Sequence, residues 1–118
     1  MITELRKDKD LTIVHLYARS IDINNSEDIS EKLKLTIKKT SRIIVDLGDI
    51  QYIDSSGLRV ILNFYHLTKK IGMQLCLVNK SSAVKALFDL VYLDKILYVS
   101  DSLENALRVS QKEYLEAV

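Results

Sequence analysis

Two adjacent serines, Ser55 and Ser56, stand between Asp54 and Gly57 at a point where the chain changes character. Before them "RIIVDLG" has the look of a buried strand, and after them a long stretch has helical spacing. A hydroxyl at such a turn has three uses. It can cap the helix by accepting a bond from a free first-turn N–H, a role in which Ser and Asp are both preferred. It can act as a nucleophile, given a base and a group to orient that base. Or it can receive a phosphoryl group, which a helix N-terminus tolerates through its free N–H donors and positive partial charge.

The nucleophile finds no partners in the sequence. There is no G-x-S-x-G elbow, His15 falls in a predicted strand, and His66 lies far along the helix. Two isolated histidines and one cysteine, without H-x-x-x-H or C-x-x-C spacing, offer no metal site. No G-x-x-x-x-G-K-[ST] loop is present for a nucleotide. The expectation is a protein that is not an enzyme and carries no cofactor. Capping and phosphoryl acceptance both remain open. A phosphate here would sit beside Asp54, with Asp22 of "SIDINN" as a second candidate neighbour, and would project charge outward as a label.

Elements that position the turn follow from periodicity. "ITELRK", the turn "DKD" and "LTIVHLYAR" predict a strand hairpin. "SEDISEKLKLTIKK" predicts a helix capped by Ser26 or Asn25, with Glu27 and Asp28 in its first turn and Ile29, Leu33 and Ile37 as one stripe. A strand at 43–47 leads to the helix that begins around Ser56. That helix carries two apolar stripes, Leu58, Ile61, Leu62 and Tyr65 beside Val60, Phe64, Leu67 and Ile71, and only a thin polar strip. It should be covered on more than one side, with Leu62 and Phe64 both largely buried, or present a docking surface near its start. "MQLCLV" is the next strand, and its Cys76 reads as a buried, inert thiol. Val84, Leu87, Phe88 and Val91 form the apolar face of a further helix; "ILYV" follows as a short strand. Asp101 and Glu104 resemble a capping box that opens a last helix with Leu103, Ala106, Leu107 and Tyr114. Two strands, then alternating helix and strand, predict an α/β fold with a small, mixed, largely parallel sheet flanked by helices.

The 118 residues hold no proline, linker, repeat or low-complexity tract, so residues 1–118 read as a single domain. Seventeen basic residues against sixteen acidic ones leave no field to collect nucleic acid or an anionic membrane. The pairs Lys38-Lys39 and Lys69-Lys70 fall near predicted helix C-termini, where cations suit the dipole. A single cysteine excludes an internal disulfide. The N-terminus "MITELRKDKD" lacks an apolar signal core, and no apolar run approaches the ~20 residues of a membrane span, which makes cytoplasmic the default expectation.

"IIVDLGDIQYIDSSGLRVIL" resembles the signature of the STAS domain, in the branch of bacterial anti-sigma factor antagonists. "ARSIDINNSEDISEKL" resembles the family's G-x-[LI]-D-x-x-[TN] segment, and "GMQLCLVNKSSAVKALFDLVYLDKILYVSDSLENAL" its closing half. The resemblance implies a phosphoacceptor at Ser56 and a partner-binding surface that includes Asp22, Asn25, Asp54, Ser55, Gly57 and Leu58. It implies as partners a serine kinase that is itself the anti-sigma factor, and a phosphatase acting on phospho-Ser56. The same fold also serves scaffold subunits of sensory complexes and cytoplasmic subunits of transport complexes, so both remain as alternatives. Two positions depart from the pattern. Arg19 and Tyr92 stand where the family has glycine.

Overall fold

The computed structural model describes residues 2–6, 10–37 and 40–109. Strands β1 (Ile2–Arg6) and β2 (Leu11–Leu16) pair antiparallel, with Ile2 opposite Leu16. From β2 the chain makes a two-residue strand β3 (Ser20–Ile21), helix α1 (Ser26–Leu35) and strand β4 (Arg42–Asp46). A second two-residue strand, β5 (Tyr52–Ile53), precedes the long helix α2 (Ser55–Lys70). Strand β6 (Gln74–Val78), helix α3 (Ser82–Leu90), a 3-10 turn at Leu93–Lys95 and strand β7 (Tyr98–Ser100) follow, and residues 103–109 form helix α4. The main sheet has the order β1-β2-β4-β6-β7, parallel except for β1. That is the expected mixed, largely parallel sheet.

Strand alternation sorts the core into two layers. On one face Val14, Leu16, Ile43, Val45, Leu75 and Leu77 meet Ile29 and Leu33 of α1, Val60, Ile61 and Phe64 of α2, and Val84 and Phe88 of α3. On the other face Leu11, Ile13, Ile44, Cys76 and Val78 are covered by Ala106, with Leu103 and Leu107 of α4 at the margin. Continuous apolar runs such as "RIIVD" are what strands buried on both faces require.

Several expectations shift in detail. Phe64 is buried, but Leu62 is only half-buried, because the sheet-facing line of α2 runs through Val60, Ile61 and Phe64 and leaves Leu62 at its edge. Helix α3 ends at Leu90, so Val91 is exposed and not a member of the buried face. Helix α4 is capped by Ser102, whose Oγ accepts from the Asn105 N–H at 3.1 Å, while Asp101 accepts from the Asn105 side chain at 2.9 Å. The cap thus falls one residue after Asp101, and its partner is Asn105 in place of the expected Glu104. Helix α1 stops at Leu35, short of Lys38-Lys39; those lysines, most of the "DKD" turn and Tyr114 lie outside the described residues.

Candidate functional site

Strands β3 and β5 are too short to form a sheet of their own consequence, yet they assemble the turn that carries the serines. They pair in parallel, Ser20 with Tyr52 and Ile21 with Ile53. The Asp54 N–H then donates to the Ile21 carbonyl at 3.2 Å, so the chain enters α2 pressed against β3. Gly57 makes that approach possible. A Cβ added at Gly57 would lie 2.1 Å from the Ile21 carbonyl oxygen, a collision with backbone that no rotamer relieves. Gly57 is therefore buried packing, not part of an exposed surface.

Asp54 is the helix cap. Its Oδ1 accepts from the Gly57 N–H at 2.9 Å, and its Oδ2 accepts from the Ile23 N–H at 3.1 Å. Neither serine has that duty, which corrects the capping role open to them from sequence. Both occupy helical positions after the cap, where a hydroxyl is not needed to close the first turn. Ser55 is exposed. Ser56 is half-buried and opens on a groove of about 320 Å³ between α1 and α2, which Arg59 and Lys34 also line. Leu58 is half-buried and packs against the main core.

Asp22 and Asn25 belong to the loop that abuts this turn, and Ile23 of the same loop makes the bond to Asp54. Their own side chains serve the loop. Asp22 accepts from the Ser20 hydroxyl at 2.6 Å and from the Asn24 N–H at 2.9 Å. Asn25 accepts from the Asp22 N–H at 2.9 Å and donates to the Ser20 carbonyl at 2.8 Å. Asn25 occupies the cap position of α1, but its side chain makes no capping bond. The Ser20 hydroxyl, followed by the Asn24 amide, holds the Asp22 carboxyl below the ordinary aspartate range, against an opposing effect of burial.

The two histidines lend no base to the serines. His15 sits between two carboxylates, its Nδ1 3.1 Å from Asp46 and its Nε2 2.9 Å from Asp49, so both ring nitrogens are engaged. Among the described residues no group of three or more His, Cys, Asp or Glu side chains is placed to hold a metal ion. Among them, too, no helix is long and apolar enough to cross a membrane.

This arrangement matches known proteins over most of the chain. The STAS domain family model matches residues 3–106. An anti-sigma-B factor antagonist of Bacillus subtilis is 31% identical over 91 residues, 77% of this chain and 84% of that protein. The chain belongs to the STAS family, in its anti-sigma factor antagonist branch. The solved structure of the anti-sigma factor antagonist SpoIIAA in its unphosphorylated form aligns with a TM-score of 0.73 at 19% identity, covering 94% of this chain and 97% of that one. The murine anion transporter Slc26a9 contains the same fold, with a TM-score of 0.79 at 21% identity over 91% of this chain and 18% of that one. At these identities the structural likeness speaks for the fold alone.

The family's two glycine positions are treated differently here. Tyr92 has φ 57° and ψ 33°, the left-handed region where a Cβ is unfavourable, so the glycine preference at this position has a direct backbone cause. Arg19 has no positive φ. Its carbonyl accepts from the Gln51 N–H at 2.7 Å, and its guanidinium reaches the Gln51 side chain at 3.3 Å, tying the segment before β3 to the segment before β5. Sequence reasoning missed the exposed apolar pair beside the turn, Ile23 at 74% and Tyr52 at 58% exposure. The available signal was an isoleucine inside the polar run "DINN" and a tyrosine out of phase with the buried Ile53.

Proposed function

We propose that the unmodified chain binds a serine kinase that is also an anti-sigma factor and thereby frees a sigma factor, and that phosphorylation of Ser56 ends this binding until a phosphatase removes the group. The observation that carries this reading is the idle hydroxyl of Ser56. Asp54 performs the capping, so modification at Ser56 leaves the cap bond of α2 in place. Exposed Ile23 and Tyr52 beside the turn supply apolar area of the kind a partner buries. Asp22, Asn25, Asp54, Ser55 and Leu58 would contribute to the same face, the first two chiefly by holding its loop in shape.

A phosphoserine brings a charge of about −1.5 to −2. Enclosing an ion without a partner costs on the order of 3–5 kcal/mol. At about 1.4 kcal/mol per decade, partner affinity should fall by hundreds to thousands of fold. The test is capture of partners from the source cell, followed by phosphosite mapping and affinity measurement on the isolated kinase. Ser56→Ala should keep binding and escape labelling, and Ser56→Asp should weaken binding only in part, having one charge and a shorter reach. Labelling at Ser55 in place of Ser56 overturns the assignment. Labelling at Ser56 without a change in affinity overturns the switch, and leaves the scaffold and transport-subunit readings, which need no such change.

A further inference from the structure

From Asp89 to Ile96 the chain buries one side chain, Leu93, and leaves every other exposed. Four of the exposed residues are large and apolar: Leu90 at 76%, Val91, Tyr92 at 69%, and Ile96. A single exposed leucine is ordinary on any surface, but four such residues in one short turn are not. The turn is closed by its own backbone. The Tyr92 N–H donates to the Asp89 carbonyl at 3.2 Å and the Lys95 N–H to the Tyr92 carbonyl at 3.1 Å, which keeps the four together. Tyr92 adds a second cost, since it holds a left-handed conformation that glycine would take without strain. With most of its surface open, its ring returns little to the domain in exchange.

Charges of both signs flank this patch. Asp94 and Lys95 are adjacent, exposed and in no ion pair among the described residues, whereas Lys85 and Asp89 nearby satisfy each other at 2.8 Å. The patch is also remote from the serines. Helix α3 starts beside the segment before β5, where the Ser81 hydroxyl donates to the Gln51 carbonyl at 3.3 Å, and runs away from it to Leu90. The 3-10 turn that follows shares a pocket with Tyr65 and Lys69 of the last turns of α2. Ser56 lies at the other end of that helix.

We propose that the Leu90–Ile96 turn is a self-association surface, on which a second copy of this chain docks about a two-fold axis. In a two-fold contact the same patch meets itself, so a residue that faces another is faced by it in return. One uncommitted acid beside one uncommitted base is satisfied twice by that arrangement, Asp94 of each copy opposite Lys95 of the other. A partner of one dominant sign would leave one of the two without a counterpart. The net charge of +1 sets no long-range repulsion between copies. Four apolar residues fall short of the about 800 Å² per partner that stable complexes bury, so the pair is weak and concentration-dependent. It carries two open Ser56 turns, and its formation does not depend on Ser56 being modified.

The test is sedimentation velocity with an amide-shift dilution series on the full chain, across the micromolar-to-millimolar range. Amides of Leu90 to Ile96 should shift with concentration, while those of Asp54 to Leu58 stay fixed. Tyr92→Gly removes the ring and the strain together; it should keep the fold and weaken association about tenfold or more, as loss of a central aromatic contact does. Lys95→Glu and Asp94→Lys should each weaken it by setting like charges across the axis. An equimolar mixture of these two variants should associate again, because each copy supplies the sign the other lacks. A chain that stays monomeric throughout overturns the proposal and leaves the patch to a different protein. Association untouched by all three variants overturns it too, by placing the contact on another face, and a mixture that fails to recover overturns the two-fold pairing.

Discussion

Helices α2 and α3 begin with the same chemistry and use it differently. Each opens on a side-chain oxygen that accepts from the N–H three residues on: Asp54 from Gly57 at 2.9 Å, Ser81 from Val84 at 3.2 Å. Each has a serine directly after the cap, Ser55 or Ser82, and neither has a carboxylate in its first turn. They part at the next two positions. Helix α3 has Ala83 and then Val84, which is buried in the core; its cap Ser81 also donates to the Gln51 carbonyl at 3.3 Å. Helix α2 has Ser56 and then Gly57, on which the backbone of β3 presses. A serine pair at a helix start is therefore not what distinguishes the site. What distinguishes it is a cap supplied by a third residue, a glycine that admits a neighbouring strand, and a hydroxyl left idle between them.

The strongest way to break this comparison is to exchange the character of the two core-facing positions. Gly57→Ala should destabilise the fold by about 3 kcal/mol, since the added methyl meets a carbonyl that can retreat only if β3 and β5 separate from α2. Val84→Ala should cost about 2 kcal/mol, through lost burial and the cavity left behind. Urea denaturation reads both. A neutral Gly57→Ala would mean that the close approach at the site is not maintained in solution.

Removing the caps sharpens the comparison at a smaller scale. Ser81→Ala should cost about 1 kcal/mol, the usual value of a lost cap. Asp54→Ala should cost about 2 kcal/mol, because Asp54 holds the Ile23 N–H of the neighbouring loop as well as its own helix. Equal losses would show that the bond to Ile23 contributes nothing, and that the loop carrying Asp22 and Asn25 is held to the site by other contacts.

The same two helices also end alike. Ile71 and Val91 donate to carbonyls four residues back, and Gly72 and Tyr92 to carbonyls three back, both with positive φ, 81° and 57°. Glycine suits that conformation and tyrosine does not. Tyr92→Gly should stabilise the domain by about 1 kcal/mol, and Gly72→Ala should destabilise it by about the same amount, with no steric clash involved because nothing lies within 4 Å of the new Cβ. Thermal unfolding of the two variants should move in opposite directions. Loss of stability in Tyr92→Gly would show that the exposed tyrosine makes contacts in solution that outweigh its strain.

These pairs also show what a linear reading can and cannot reach. The helices α1 to α3 were legible because one-sided burial imposes a repeating period, and the strands β2, β4 and β6 because burial on both faces leaves continuous apolar runs. The glycine pattern around Tyr92 was legible from the family resemblance, and the backbone angle supplies its cause. Strands β3 and β5 were not legible: two residues carry no period, and their pairing joins residues far apart in the chain, Ser20 with Tyr52 and Ile21 with Ile53. The cap of α2 was ambiguous for a different reason. Asp54, Ser55 and Ser56 each carry a suitable oxygen, and which one caps is decided by where β5 releases the chain. The groove beside Ser56 was not legible either, because its lining comes from two helices that only the packing of α1 on α2 sets side by side.

The smallest expected effect concerns acid, and it separates the two helix starts once more, because only the α2 site has a titrating carboxylate that braces its neighbouring loop. The Asp22 carboxyl is held below its ordinary value, first by the Ser20 hydroxyl and then by the Asn24 amide. The unfolded chain has no such bonds, so its aspartates titrate near about 3.9. Below that point the unfolded state binds a proton that folded Asp22 still refuses. The contribution of Asp22 to stability is therefore fully present above the unfolded value and is lost as pH falls through the lower folded value. The Asn24 amide signal should report this directly, with a titration midpoint below the ordinary aspartate value in the wild type and a midpoint moved upward in Ser20→Ala, where the first cause is removed. Asp22→Asn should abolish the transition and flatten the acid limb of stability. A wild-type midpoint at or above the ordinary value would show that Ser20 does not hold the carboxylate in solution, and that the loop beside Ser56 keeps its shape through Asn25 and the Asp54 bond to Ile23.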